Sequence, residues 1–193
     1  DETNPMNNAE SDIEGMSITA GIDRELDEGF RMGAFLSYTD GETTYNSALG
    51  GSEADGITVG GYAAYTGDTG LRMNAYVGAG QRDVTSMRVD ALTSGTLLGE
   101  TEADEFIIGA EVSKLYPAGS FFIEPPVGVD YASFVVDGYS ETGGASALTY
   151  DDIKASTTQA HAGAQLHFFN PESATGLRPS IGADFVFDLS NDP

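Results

Sequence analysis

The chain has 193 residues, 31 of them acidic against 8 basic, a net charge of -23, and no cysteine. This length suits one domain, the charge argues against a basic-patch binder of nucleic acid or anionic lipid, and the missing cysteine removes disulfides, thiolate metal sites and cysteine nucleophiles together. No apolar run approaches the ~18 residues of a spanning helix, a rule that leaves a spanning β-barrel untouched.

Residues 1–15 are polar, lack the basic and apolar regions of a signal peptide, and read as a linker. From Met16 the chain alternates: Met16, Ile18, Ala20 and Ile22 oppose Ser17, Thr19, Gly21 and Asp23. After the turn RELDEG, Phe30, Met32, Ala34, Leu36 and Tyr38 oppose Arg31, Gly33, Phe35 and Ser37. A long acidic connection, Thr39 to Gly56, leads to Ile57, Val59, Gly61, Ala63 and Tyr65 on one face of a third strand. TGDTG then turns the chain into GLRMNAYVGAGQR, where Leu71, Met73, Ala75, Val77 and Ala79 oppose Arg72, Asn74, Tyr76, Gly78, Gly80 and Arg82. Side chains of a strand alternate between faces, so each stretch has one dry and one wet side.

A second long connection runs to about Glu105, and Phe106, Ile108, Ala110 and Val112 then oppose Ile107, Gly109, Glu111 and Ser113. After a short turn at Tyr116 to Gly119, Phe121, Ile123, Val127, Val129 and Tyr131 oppose Phe122, Glu124, Gly128 and Asp130. Pro125 and Pro126 cannot both join a regular ladder, which predicts a bulge near one rim. A third long connection, Val136 to Ser156, precedes Ala160 to Phe168, and the short NPESATG leads to Leu177 to Asp188. Eight strands joined by alternating short and long connections describe an antiparallel up-and-down meander with two unequal ends.

Such a meander also suits a soluble lipocalin-like barrel, whose apolar face points inward. Three features place the apolar face outside. The polar face carries both charge signs, Arg31, Arg72, Arg82 and Arg178 among Asp23, Glu111, Glu124, Asp130 and Asp184, which suits a confined lumen where charges need partners. The apolar face is almost free of charge. Aromatics (Phe30, Tyr38, Tyr65, Phe106, Tyr131, Phe168, Phe187) fall near strand ends, where membrane barrels carry their girdles.

The ordered series AGIDREL, RMGAFLSYTDG, GGYAAYTGDTGLRMNAYVGAGQR, FIIGAEVSKLYPAGSFFIEPPVGVDYASF, DGYSETGG and LTYDD…AHAGAQLHF resembles the C-terminal β-domain of bacterial autotransporters (type V secretion). The resemblance covers about Met16 to Asp188 and implies a twelve-stranded outer-membrane barrel. Counting the topology against such a barrel makes the visible strands two to nine, with short turns periplasmic and the long acidic loops extracellular. It further implies a translocator that anchors an N-terminal passenger and assists its export, with lipid, the passenger's own linker segment and the outer-membrane assembly machinery as partners. The stripe Arg31, Arg72, Arg82, Glu111, Glu124, Asp130 and Arg178 then lines the lumen.

No catalytic or cofactor constellation emerges. The chain has no G-x-S-x-G, Walker or H-E-x-x-H motif, and GAGQRD lies within a strand and is no dinucleotide fingerprint. His161 and His167, six apart on one strand face, are about 20 Å apart and too distant to share a metal. Asp151-Asp152 and Glu53-Ala54-Asp55 lack the alternating carboxylates and central Gly of a calcium loop. The expectation is a non-enzymatic domain without cofactor or metal. Two other readings stay open at this point: a complete eight-stranded barrel with ligand-binding or adhesin loops, and a soluble barrel holding a small apolar ligand.

Overall fold

A computed structural model describes residues 11–45, 50–90, 92–168 and 179–190. The strands in chain order are β1 (Ser11–Asp27), β2 (Phe30–Tyr45), β3 (Gly50–Thr66), β4 (Leu71–Val89), β5 (Thr96–Lys114), β6 (Tyr116–Ala118), β7 (Phe121–Glu124), β8 (Pro126–Val136), β9 (Tyr139–Ser140), β10 (Thr149–Tyr150), β11 (Ile153–His167) and β12 (Ser180–Asp188). All pairings are antiparallel. The wall runs β1-β2-β3-β4-β5-β8-β11-β12, with β6 and β7 closing the β5–β8 hairpin, while β9 and β10 form a hairpin of their own. Among the described residues β1 and β12 are the two edges of this curled sheet.

The register keeps each face uniform, because partners across a ladder point the same way. One row of partners reads Phe30, Tyr65, Met73, Val112, Val127, Ala162 and Phe185. Another reads Leu36, Val59, Ala79 and Phe106. Of these, Leu36, Val59, Met73, Phe106, Val112, Val127 and Phe185 are exposed. The apolar side is therefore the outside, and a soluble barrel with a greasy interior is not what this chain builds. On the opposite face of β5 every second residue is at most partly exposed, and Leu97, Gly99, Ala103, Glu105, Gly109 and Ser113 are buried.

Three expectations change. β1 begins at Ser11, with Asp12 to Gly15 paired to Thr44 to Gly41, inside the stretch read as a linker; the rest of that stretch lies outside the described residues. The first two long connections are mostly strand, since β2 runs on to Tyr45, β3 starts at Gly50, β4 runs to Val89 and β5 starts at Thr96. Beyond the apolar band the outer face meets water, so alternation fades from the sequence while neighbouring ladders still supply the hydrogen bonds. The prolines make no bulge. Ala162 pairs with Val127 and Gln165 with Glu124 in one continuous register, so Pro125 merely interrupts the ladder, and Pro126 stays opposite Ser113. A proline lacks an N–H and removes a rung without requiring an extra residue. The irregularity instead falls between Glu25 and Asp27 in β1.

The short turns share one end: Gly29, Gly70 and Gly119, each with φ between 70° and 79°, take the left-handed conformation that tight reversals demand. The turn NPESATG lies outside the described residues.

Candidate functional site

The inner face carries charge, and the structure pairs it. Near the short turns Arg31 meets Asp23 at 3.2 Å, and the Tyr62 hydroxyl donates to the same carboxylate at 3.3 Å. Arg72 on β4 donates to Glu124 on β7 at 2.8 Å. Ser113 donates to that carboxylate at 2.6 Å, and His167 Nε2 lies 2.7 Å from it. This carboxylate is buried and has three partners from three strands, the arrangement a confined charge requires.

In the middle of the wall, His161 bridges two carboxylates, with Nδ1 3.0 Å from Asp130 and Nε2 3.3 Å from Glu111. Tyr76 donates its hydroxyl to Asp130 at 2.8 Å. A Cβ on Gly109 would collide with the Tyr76 ring and with Asp130, so the bare backbone there is what lets the ring lie flat against the wall. Higher up, Arg82 donates from one nitrogen to both oxygens of Glu105, at 3.0 and 2.9 Å, while Thr58 donates to Glu105 at 2.8 Å. The Arg82 guanidinium also lies over the Phe134 ring, 5.4 Å from its centroid.

Arg31, Arg72, Arg82, Glu111, Glu124 and Asp130 thus all stand on the inner face, in several clusters rather than one. Arg178 lies outside the described residues. The two histidines enter different clusters, and no group of three His, Asp or Glu suited to a metal occurs among the described residues. Glu105 escaped because its strand was expected to start at Phe106, one residue past it, whereas β5 starts at Thr96; its spacing of six from Glu111 was the available signal.

A further pair escaped because it lies in a supposed loop. Arg88, near the end of β4, donates to both Glu141 oxygens at 2.7 and 2.6 Å and to the Ser146 carbonyl at 2.8 Å. The Arg88 hydrogen bonds hold the Glu141 carboxyl below its ordinary range, against the opposing effect of burial. Beside it Asp90 is buried and held down to about 2 by the Ser146 hydroxyl, the Leu92 amide and the Thr93 hydroxyl. The Leu92 and Thr93 bonds measure 2.9 and 2.7 Å, whereas Ser146 Oγ reaches no partner with good hydrogen-bond geometry; we assign the larger share to the first two.

With the greasy face outside and the charges paired within, the comparisons are unambiguous. The family model "Autotransporter beta-domain" matches residues 3–193. The chain belongs to the autotransporter β-domain family. It is an outer-membrane β-barrel translocator domain of the type V secretion class. Among solved structures, the translocator domain of autotransporter NalP from Neisseria meningitidis superposes with a TM-score of 0.79 at 17% identity, over 94% of this chain and 62% of that one. The β-domain of the Bordetella autotransporter BrkA gives 0.67 at 20% identity, over 92% and 74%. At these identities the likeness concerns the fold. Esterase EstA of Pseudomonas aeruginosa is 28% identical over 176 residues, 81% of this chain and 25% of the relative, and EstA of Pseudomonas putida matches to the same extent. The chain therefore spans about a quarter of the curated relatives' length.

Proposed function

We propose that the paired inner face lines the path along which a passenger segment crosses the outer membrane, and that this domain acts by shelter and anchorage, without catalysis. The observation that carries this is the asymmetry of the wall: apolar residues outside, and inside an Arg or His against Asp23, Glu105, Glu111, Glu124 and Asp130. A polar chain in transit exchanges water for a polar surface whose carboxylates already hold hydrogen-bond partners, so it does not meet bare hydrocarbon. In this reading the strands are two to nine of twelve, the short turns are periplasmic, the long loops are extracellular, and the edges β1 and β12 pair with further strands. Lipid and the assembly machinery are the barrel's partners. The kinship with EstA extends the proposal to a passenger of independent activity carried on the same polypeptide.

The test uses adjacent positions on opposite faces. A photo-crosslinking residue at Asn74, on the inner face, is expected to capture a stalled passenger segment in the full-length protein, and one at Ala75 to capture none. Equal capture at both, or capture only at Ala75, defeats the lumen path.

A further inference from the structure

The β9–β10 hairpin stands apart from the wall's meander. Its own ladder has two rungs, Ser140 with Thr149 and Tyr139 with Tyr150, too few for a hairpin to hold itself in water. Contacts with β4 and β5 set its position. Just past the end of β8, Thr142 exchanges both backbone hydrogen bonds with Leu98 of β5, at 2.8 and 2.9 Å. From there the chain turns across the inner face. Gly144 lies against Leu97 and Asp90, and the Ser146 carbonyl accepts from Arg88, whose ladder partner is Leu97. Leu97 is left with 0% exposure.

Two side-chain contacts fasten this crossing. Tyr139 stacks on Tyr150 with centroids 4.9 Å apart, fills the space over Gly99 and meets the Ser86 hydroxyl at 3.2 Å. Glu141 takes the Arg88 fork and the Leu148 amide, at 2.9 Å, so one carboxylate ties the wall to both arms of the hairpin. Ser86, Arg88, Leu97 and Gly99 all occupy inner-face positions of their strands.

We propose that the segment from Gly138 to Asp152 is a lid over the outer mouth of the lumen, latched to the wall by Glu141 on Arg88, and that it leaves the inner face while a passenger chain passes. The proposal rests on the translocator reading above and on the short turns being periplasmic. A lid suits the contacts better than a structural strap does. Its hold is concentrated in one ion pair, one stacked tyrosine and one two-way bridge, each releasable without opening the wall.

The chain contains no cysteine, so a disulfide can be placed without competition from this domain. Leu98 and Thr142, as directly opposed partners, suit a Leu98→Cys/Thr142→Cys bridge. In the full-length protein, barrel folding is scored by heat-modifiable migration and passenger arrival by protease shaving of intact cells. With the bridge formed, arrival is expected to be lost, and reductant is expected to restore it. Normal arrival through a closed bridge overturns the lid alone. Failure of the reduced protein and of the parent to present a passenger overturns the translocator reading beneath it. Single Leu98→Cys should react with an impermeant maleimide on intact cells; no reaction overturns the orientation and the lid together. Without any disulfide, Glu141→Gln in the purified barrel should raise the open fraction in planar bilayers, and an unchanged trace counts against the latch.

Discussion

The two faces of this wall treat charge in opposite ways. Inside, Arg72, Arg82 and Arg31 each meet a carboxylate within 3.2 Å. Outside, above the apolar band, acids stand directly across from acids. Asp40, Asp55, Asp83 and Glu102 are successive ladder partners on four neighbouring strands, and Glu42 faces Glu53. All six of these acids are exposed. Like charges opposed on a sheet destabilise it by a few tenths to about 1 kcal/mol per pair, a cost that water and salt reduce. A confined carboxylate lacks that relief, and losing its partner costs several kcal/mol. Location relative to water, and not charge itself, decides which acids need a base.

The largest effect is expected from breaking an inner cluster. Arg72→Ala leaves Glu124 buried with its arginine partner gone and should lower stability in detergent by about 3 kcal/mol; adding Glu124→Gln should recover most of it. If the single change is as mild as an outer substitution, the two faces do not differ as stated. Next is Gly109→Ala, whose new methyl meets the Tyr76 ring and Asp130. Overpacking of this kind costs about 1–3 kcal/mol, measurable by thermal unfolding, and Tyr76→Ala in the same chain should relieve the part of the clash that involves the ring.

Acid probes the boundary between the faces. Asp90 and Glu141 both titrate below their ordinary values in the folded chain. Their contribution is therefore complete above the unfolded carboxyl range of about 4 and is lost as pH falls toward the folded values, near 2 for Asp90. Hydrogen exchange should show residues 137–152 losing protection between pH 4 and 2, before the β3–β4 ladder does. Loss of both together would mean the hairpin is no separate unit. The smallest effect belongs outside: Asp55→Asn removes two like-charge contacts and should stabilise by about 0.5 kcal/mol at low salt, with the gain vanishing as salt rises.

How far the residues foretold this varies along the chain. Leu71 to Ala79 and Arg72 to Arg82 declared their two faces, and the apolar outside follows from where the arginines fell. Arg72 and Glu124 were both legible as inner residues, but nothing in the sequence said that they touch, since they lie 52 residues apart on strands that are not ladder partners. Glu105 was hidden by an expected strand start one residue away, and Glu141 by an expected loop. The prolines misled for a different reason: a missing donor looks like a need for an extra residue, and here the ladder tolerates the gap.

Alternating side chains and turn glycines are local properties, so the all-β meander and its two faces could be read from the residues alone. Strand length past the membrane band, the pairing of particular charges and the fastening of β9–β10 to β4 and β5 were decided only in the tertiary structure. Those depend on register, and register is set by neighbours dozens of residues away. A ladder keeps its hydrogen bonds long after its hydrophobic pattern has ended.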